Sequence, residues 1–199
     1  MSCLENFGPG IPLDIVLENP AQYQQLYSFS NLLDSHPVRI TIPLVSGFSK
    51  AVKLAISLRY AVKLEVKQPD EDLLAELDTV LDLYLHLSSV NQPIEFFHSL
   101  LLSFYRNEPV SLWEITEIDP AIVRYVGDDG SVVDVDLNSE TRECHDCEFR
   151  NRCRGYFKFP DQTYNCDGVK RLFRTLAQTA HELKADLATF EATEVQAHS

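Results

Sequence analysis

The sequence predicts an α/β fold in which a partial (half) β/α barrel over residues 1–109 is followed, over residues 110–190, by a small β-hairpin and a cysteine-rich metal-binding module with a C-terminal helix; residues 191–199 form a flexible tail. Three observations predict it. Short β-branched runs alternate with amphipathic stretches through the first half, the signature of parallel strands joined by crossovers. After residue 109 come β-type runs interrupted by a Gly-Asp-Asp-Gly turn. Four of the five cysteines then crowd between Cys144 and Cys166, and a helical periodicity follows them.

The elements follow in order. Residues 13–17 form a short strand. Asn19-Pro20 opens a helix carrying Tyr23, Leu26, Tyr27, Phe29 and Leu33, since Pro suits a first turn. Residues 38–45 are the next strand, broken by Ser46-Gly47; Phe48, Val52, Leu54, Ala55 and Leu58 then recur at the spacing of a helix buried on one side. Residues 62–66 alternate as a strand with one polar face. Pro69-Asp70-Glu71-Asp72 starts a helix reaching about Leu87, because carboxylates favour the positive end of the helix dipole. Its inner face carries Leu73, Leu74, Leu77, Val80, Leu81, Tyr84 and Leu85. A further helix begins at Pro93 and holds Phe96, Phe97, Leu100, Leu101 and Phe104. With three clear strands the first part is too small to close an eight-stranded barrel alone. Residues 111–117, 122–126 and 131–137 read as β-type runs, and a last helix from Asp167 to about Phe190 places Val169, Leu172, Phe173, Leu176, Ala180, Leu183 and Leu187 on one face.

The 199 residues are 45% hydrophobic and 24% charged, which excludes disordered and low-complexity classes. No apolar run approaches the roughly 20 residues needed to cross a bilayer, and the N-terminus lacks the basic and apolar regions of an export signal. A cytoplasmic protein is therefore expected. The net charge of −13 opposes binding to nucleic acid or anionic membranes and suits a protein or peptide partner.

The cysteine spacing is Cys144-x2-Cys147-x5-Cys153-x12-Cys166. Two residues between the first pair let one turn present both thiolates to one centre, and the longer gaps let a loop return the other two. Four thiolates complete either a [4Fe–4S] cluster or a tetrahedral zinc site, and the spacing alone does not choose. Zinc ribbons usually pair two Cys-x2-Cys knuckles, so the single knuckle here favours iron–sulfur. Clustering without an export signal weighs against disulfides. Arg142, Arg150, Arg152, Arg154 and Lys158 make this the most basic stretch of an acidic chain, which would offset the charge of a thiolate-bound cluster or form an ordinary solvated face.

The run from Glu143 to Phe157, with Tyr164-Asn-Cys166 and the helix start Val169-Lys-Arg-Leu-Phe173, resembles the auxiliary-cluster segment of a SPASM domain in radical S-adenosylmethionine enzymes. The β/α units before it resemble the later part of the partial barrel of those enzymes. The resemblance implies a SPASM-like module holding an iron–sulfur cluster, in a family that modifies ribosomally made peptides. The departures are equally informative. Cleavage of S-adenosylmethionine in that family needs Cys-x3-Cys-x2-Cys early in the barrel, and here Cys3 is the only cysteine before Cys144. Four clustered cysteines also limit the chain to one cluster. The resemblance therefore implies a truncated relative that is not an independent enzyme: an accessory protein serving peptide modification or electron transfer with a partner. The exposed strand edges of a half-barrel favour a complex or a homodimer.

Two other readings come from other classes. Glu65-Val-Lys67 at a strand end resembles the Glu-x-Lys of nucleases in which a carboxylate holds Mg²⁺, some of which also carry an iron–sulfur cluster on a C-terminal Cys-x2-Cys-x5-Cys group; Asp14 would be the upstream acid, although the charge of −13 is awkward for a DNA enzyme. A zinc-binding structural adaptor is the third. His36, His86 and His98 lack a second ligand at helical spacing and read as surface or capped histidines. Isolated Cys3 is not expected as a ligand.

Overall fold

A computed structural model of the chain describes residues 8–119, 123–126, 129–133 and 140–197. They fall into two compact units that divide between Glu95 and Phe96. The mixed α/β class is as expected.

The first unit is built on a four-stranded sheet of β1 (Leu13–Val16), β2 (Val38–Pro43), β3 (Ala61–Glu65) and β4 (Ile94–Glu95), in that spatial order and with every neighbouring pair parallel. Parallel neighbours need a crossover between them. Here the crossovers are a 3-10 segment (Pro20–Asp34), α1 (Phe48–Ser57) and α2 (Glu71–His86). Asn19 caps the first through its side-chain oxygen, which accepts from the Ala21 N–H at 3.0 Å, with Pro20 behind it as expected. Ile40, Ile42, Val62, Leu64 and Ile94 bury the sheet interior, and Phe48, Val52, Ala55, Leu74, Leu77 and Leu81 fill the helix side. β4 is a strand that the sequence reading had absorbed into a helix start. Two residues after Pro93 are too few to show alternation, and their strand character comes from the ladder with β3, in which Pro93 O accepts from the Val62 N–H at 2.9 Å.

Glu76 on α2 fastens the turn that enters α1. Its carboxylate accepts the Gly47 N–H at 2.8 Å and the Ser49 N–H at 3.3 Å. Gly47 is in the left-handed region (φ 86°), which glycine adopts without a Cβ penalty.

In the second unit, α3 (Phe97–Arg106) ends at Asn107 in the left-handed conformation and is followed by α4 (Leu112–Ile115). The β-run expected over residues 111–117 is thus corrected to a helical turn. Ser111 and Glu114 form a capping box there, each side chain taking the other's backbone N–H, and burial of Leu112 and Trp113 anchors the turn. The expected hairpin survives in part, as β5 (Tyr125–Val126) antiparallel to β6 (Val132–Val133). Residues 122, 127–128 and 134–137 of that expectation lie outside the described residues.

After α5 (Arg142–His145), α6 (Arg150–Cys153) and a 3-10 turn (Tyr156–Lys158) comes α7 (Asp167–Ala197). Val169, Leu172, Phe173, Leu176 and Ala180 are buried as expected. Leu183 and Leu187 are not: both are exposed, with Phe190 continuing their stripe. Periodicity marks a helix face but not how far a neighbour extends to cover it. The backbone remains helical past Phe190 to Ala197. Among the described residues no helix is long and apolar enough to cross a membrane.

Glu76 supplies a test of the first unit. Burial raises its affinity for a proton, but the Gly47 and Ser49 N–H groups, the Ser49 hydroxyl and Lys50 outweigh this and hold its carboxyl below the ordinary value. A depressed carboxyl stabilises the fold above its unfolded value, near 4.5, and that contribution is lost as pH falls through the folded value. Glu76→Gln is expected to lose about 0.3–1 kcal/mol at pH 7. Its urea-unfolding stability should also fall less steeply than the parent's below pH 4.5.

Candidate metal centre

The chain brings Cys144, Cys147, Cys153 and Cys166 to the wall of one cavity in the second unit, and all four are unbridged thiols. Three successive turns deliver the first three. The Cys144 N–H is bonded to Thr141 O, Cys147 N–H to Cys144 O, and Arg150 N–H to Cys147 O, so the chain winds once between each landmark. Cys153 closes α6 with its N–H on Phe149 O at 2.8 Å.

The chain then reverses through two left-handed residues, Arg154 (φ 47°) and Gly155 (φ 73°). This reversal brings the Phe157 N–H to the Cys153 sulfur as a hydrogen-bond donor. Trp113 holds the turn from outside, its indole Nε1–H donating to Arg154 O at 3.0 Å. Cys166 arrives from the far side as the residue at the head of α7, its carbonyl accepting the Lys170 N–H at 2.8 Å. Cys166 thus stands at the positive end of a long helix.

Phe149, Phe157 and Phe173 line the inner wall. Phe149 and Phe173 meet edge to face with centroids 5.2 Å apart, and Phe157 and Phe173 do so at 6.2 Å. The space between these rings and the sulfurs offers the centre of a water-sized sphere about 30 Å³. One water needs roughly 10–15 Å³ on that measure, so the cavity that the four cysteines line has room for more than one water. Among the described residues, no three Cys, His, Asp or Glu side chains close in to the spacing that one metal ion would require.

Burial dominates the sulfur chemistry. It pushes the Cys153 thiol up to about 12, against the Phe157 N–H, with the charges of Cys166, Cys144 and Cys147 adding to the rise. Cys166 is pushed up to about 11, again by burial first, while Lys158 and Lys170 pull the other way.

The basic residues divide. Arg150 lines the cavity but spends its guanidinium on Glu140, with Nε at 3.1 Å and Nη2 at 2.8 Å from the same oxygen. Arg152 turns away, giving Nε to Ser103 Oγ at 2.8 Å and lying 4.2 Å over the Phe104 ring. Arg142 and Arg154 are exposed. Lys158 is buried on the cavity wall, its Nζ donating to Glu143 Oε2 at 2.7 Å and to Tyr164 O at 2.6 Å. Lys170 joins from α7 with Nζ 2.7 Å from Glu143 Oε1. These two ammonium groups hold the Glu143 carboxyl down to about 2. Sequence reasoning missed Glu143 and Lys170 as site residues. The available signal was their position, one residue before Cys144 and four after Cys166, where each must share its neighbour's surroundings.

The remaining candidates do not converge. Asp14 is level with Arg39 and, across β2, with Ala61, four residues below Glu65 on β3, or about 13 Å along the strand. Its two oxygens are taken by Arg39 Nη2 at 2.5 Å and Thr41 Oγ1 at 2.6 Å. Glu65 and Lys67 share a shallow groove at the strand end, without Asp14. His36 Nδ1 lies 3.0 Å from Ile11 O and His86 Nδ1 3.0 Å from Asp82 O, local contacts on separate elements. His98 is on α3 in the other unit, and Cys3 lies outside the described residues. Comparison with family models, curated proteins and solved structures gives no match to this chain.

If the four thiols form one centre, Cys147→Ala is expected to remove or convert whatever metal species the chain binds. It should also increase proteolysis within residues 139–166, because a bound centre would tie together the short turns that carry its ligands. Cys3→Ala should leave both unchanged. Metal analysis and limited proteolysis on the purified variants check this, and an unchanged Cys147→Ala protein rules out a four-cysteine centre.

Proposed function

We propose that the chain is an accessory protein that binds one [4Fe–4S] cluster through Cys144, Cys147, Cys153 and Cys166 and serves peptide modification or electron transfer with a protein or peptide partner. The observation that carries this reading is the lining of one cavity by all four cysteines, delivered from α5, α6, the loop between them and the head of α7. Such a cluster would supply one-electron chemistry.

The choice of cluster over zinc rests on the single Cys-x2-Cys knuckle, since zinc ribbons usually pair two. Four thiolates on zinc, with bonds of about 2.3 Å, stand roughly 3.8 Å apart and leave no void among them. The cavity that the four cysteines line has room for more than one water, which is compatible with a guest larger than a single ion. The surrounding residues suit an anionic guest. The Phe157 N–H donates to a sulfur, the head of α7 presents its dipole, and Lys158 stands buried at the wall. Phe149, Phe157 and Phe173 keep water from the inner side.

The relation to radical S-adenosylmethionine/SPASM proteins belongs to the same proposal. A sheet whose parallel strands follow chain order is how a β/α barrel begins, which supports a half-barrel reading of the first unit. The chain carries no Cys-x3-Cys-x2-Cys segment, and four protein thiolates leave no iron open to S-adenosylmethionine.

Anaerobic reconstitution with iron and sulfide is expected to give about four of each per chain. One zinc and no labile sulfide would sink the proposal in favour of a structural zinc adaptor. The reconstituted, reduced chain should form no 5′-deoxyadenosine from S-adenosylmethionine. Formation of that product, lost in Cys144→Ala, would make the chain an enzyme in its own right.

A further inference from the structure

Four ionisable side chains share the cavity wall with the cysteines: Glu143, Arg150, Lys158 and Lys170. Their charges do not cancel. Arg150 is matched by Glu140, and that pair stands partly in solvent. Lys158 and Lys170 have one close carboxylate between them, with one oxygen of Glu143 bonded to each ammonium at 2.7 Å. Two further acids lie within reach of them, Asp167 at 3.8 Å from Lys170 Nζ and 80% exposed, and exposed Asp161 near Lys158, and water and salt screen both. The wall is left with about one positive charge.

Its placement matters more than its size. The Lys158 side chain is 6% exposed and that of Lys170 19%. A buried ammonium is costly unless it is paired, and its field in a poorly polarisable interior reaches much further than in water. The sulfurs of Cys144 and Cys166 lie within electrostatic reach of Lys158, and those of Cys147 and Cys166 within reach of Lys170. A clip needed only to tie α5, the 3-10 turn and α7 together would be served by neutral hydrogen bonds. Two lysines on one carboxylate tie those segments and leave a net cation facing the sulfurs.

We infer that the Lys158–Glu143–Lys170 bridge sets the reduction potential of the centre, its net positive charge favouring the state that carries one more electron. The inference rests on the proposed [4Fe–4S] site and names what regulates it. Reduction adds a single electron, delivered in the test by dithionite, and breaks no bond and moves no proton. All three are positioning residues, acting on the cluster through charge alone.

The test is a redox titration of the full reconstituted chain, followed by electron paramagnetic resonance of the reduced form. Lys170→Gln should lower the midpoint potential and Glu143→Gln should raise it, each by on the order of tenfold in the reduced-to-oxidised ratio at fixed ambient potential, about 59 mV for one electron. Lys170→Arg keeps the charge and should restore the parent value. Shifts of the same sign in Lys170→Gln and Glu143→Gln, or no shift in either, with iron and sulfide content unchanged, overturn the inference and leave a purely structural clip. If Lys170→Gln holds too little cluster to titrate, Glu143→Gln decides alone: an unmoved or lowered potential there overturns it. A parent chain that takes up no iron and sulfide fails one step earlier, and that result removes the cluster reading itself.

Discussion

Four sulfurs around one small buried space can shed their protons together only if other positive charge takes the protons' place. This constraint orders the second unit. Burial makes two of these thiols harder to ionise than a free thiol, with Cys153 pushed up to about 12 and Cys166 to about 11. A metal centre held by these two residues would have to displace their protons to bind. Each neighbouring feature eases that exchange: an N–H aimed at the Cys153 sulfur, the head of a helix at Cys166, and two ammonium groups on the wall.

The four-cysteine cavity also has a packed frame of its own. The rings of Phe149, Phe157 and Phe173 meet edge to face, Trp113 packs on Tyr156 with centroids 4.9 Å apart, and its indole fixes the Arg154 carbonyl at the reversal. Edge-to-face aromatic pairs contribute roughly 0.5–1.5 kcal/mol each beyond the area they bury. Aromatic packing therefore orders this segment in part by itself. The cysteine carriers are short turns, but the turns rest on a packed floor.

How much of this was legible follows the range of each signal. Three of the four parallel strands and the helices α1, α2, α3 and α7 are written in local periodicity, and the sequence located each of them. β4 was not legible because two residues carry no alternation, and only its partner β3 makes it a strand. Residues 111–117 looked β-like because Leu, Trp and Ile are counted without regard to Ser111 and Glu114, whose reciprocal caps decide the turn. At the candidate site the cysteines were plain from spacing. The arginines drew attention as the densest charge, yet Arg152 belongs to Ser103 and Phe104, and Lys170, distant in sequence, stands on the wall. Charge density along a chain says nothing about which face of a turn each side chain takes. Leu183 and Leu187 show the same limit for apolar residues, since a stripe continues past the end of the neighbour that covers it.

The carboxylate of Glu76, seated on the Gly47 and Ser49 amides, has one more consequence. In α/β proteins the mouth of a helix that follows a parallel strand is a common berth for phosphate or another anionic ligand, since unpaired amides and the dipole converge there. At α1 that berth is taken by a tenant from the protein's own α2. An incoming anion would have to evict a tethered carboxylate whose local concentration no dissolved ligand matches. The junction of β2 and α1 is thus self-liganded.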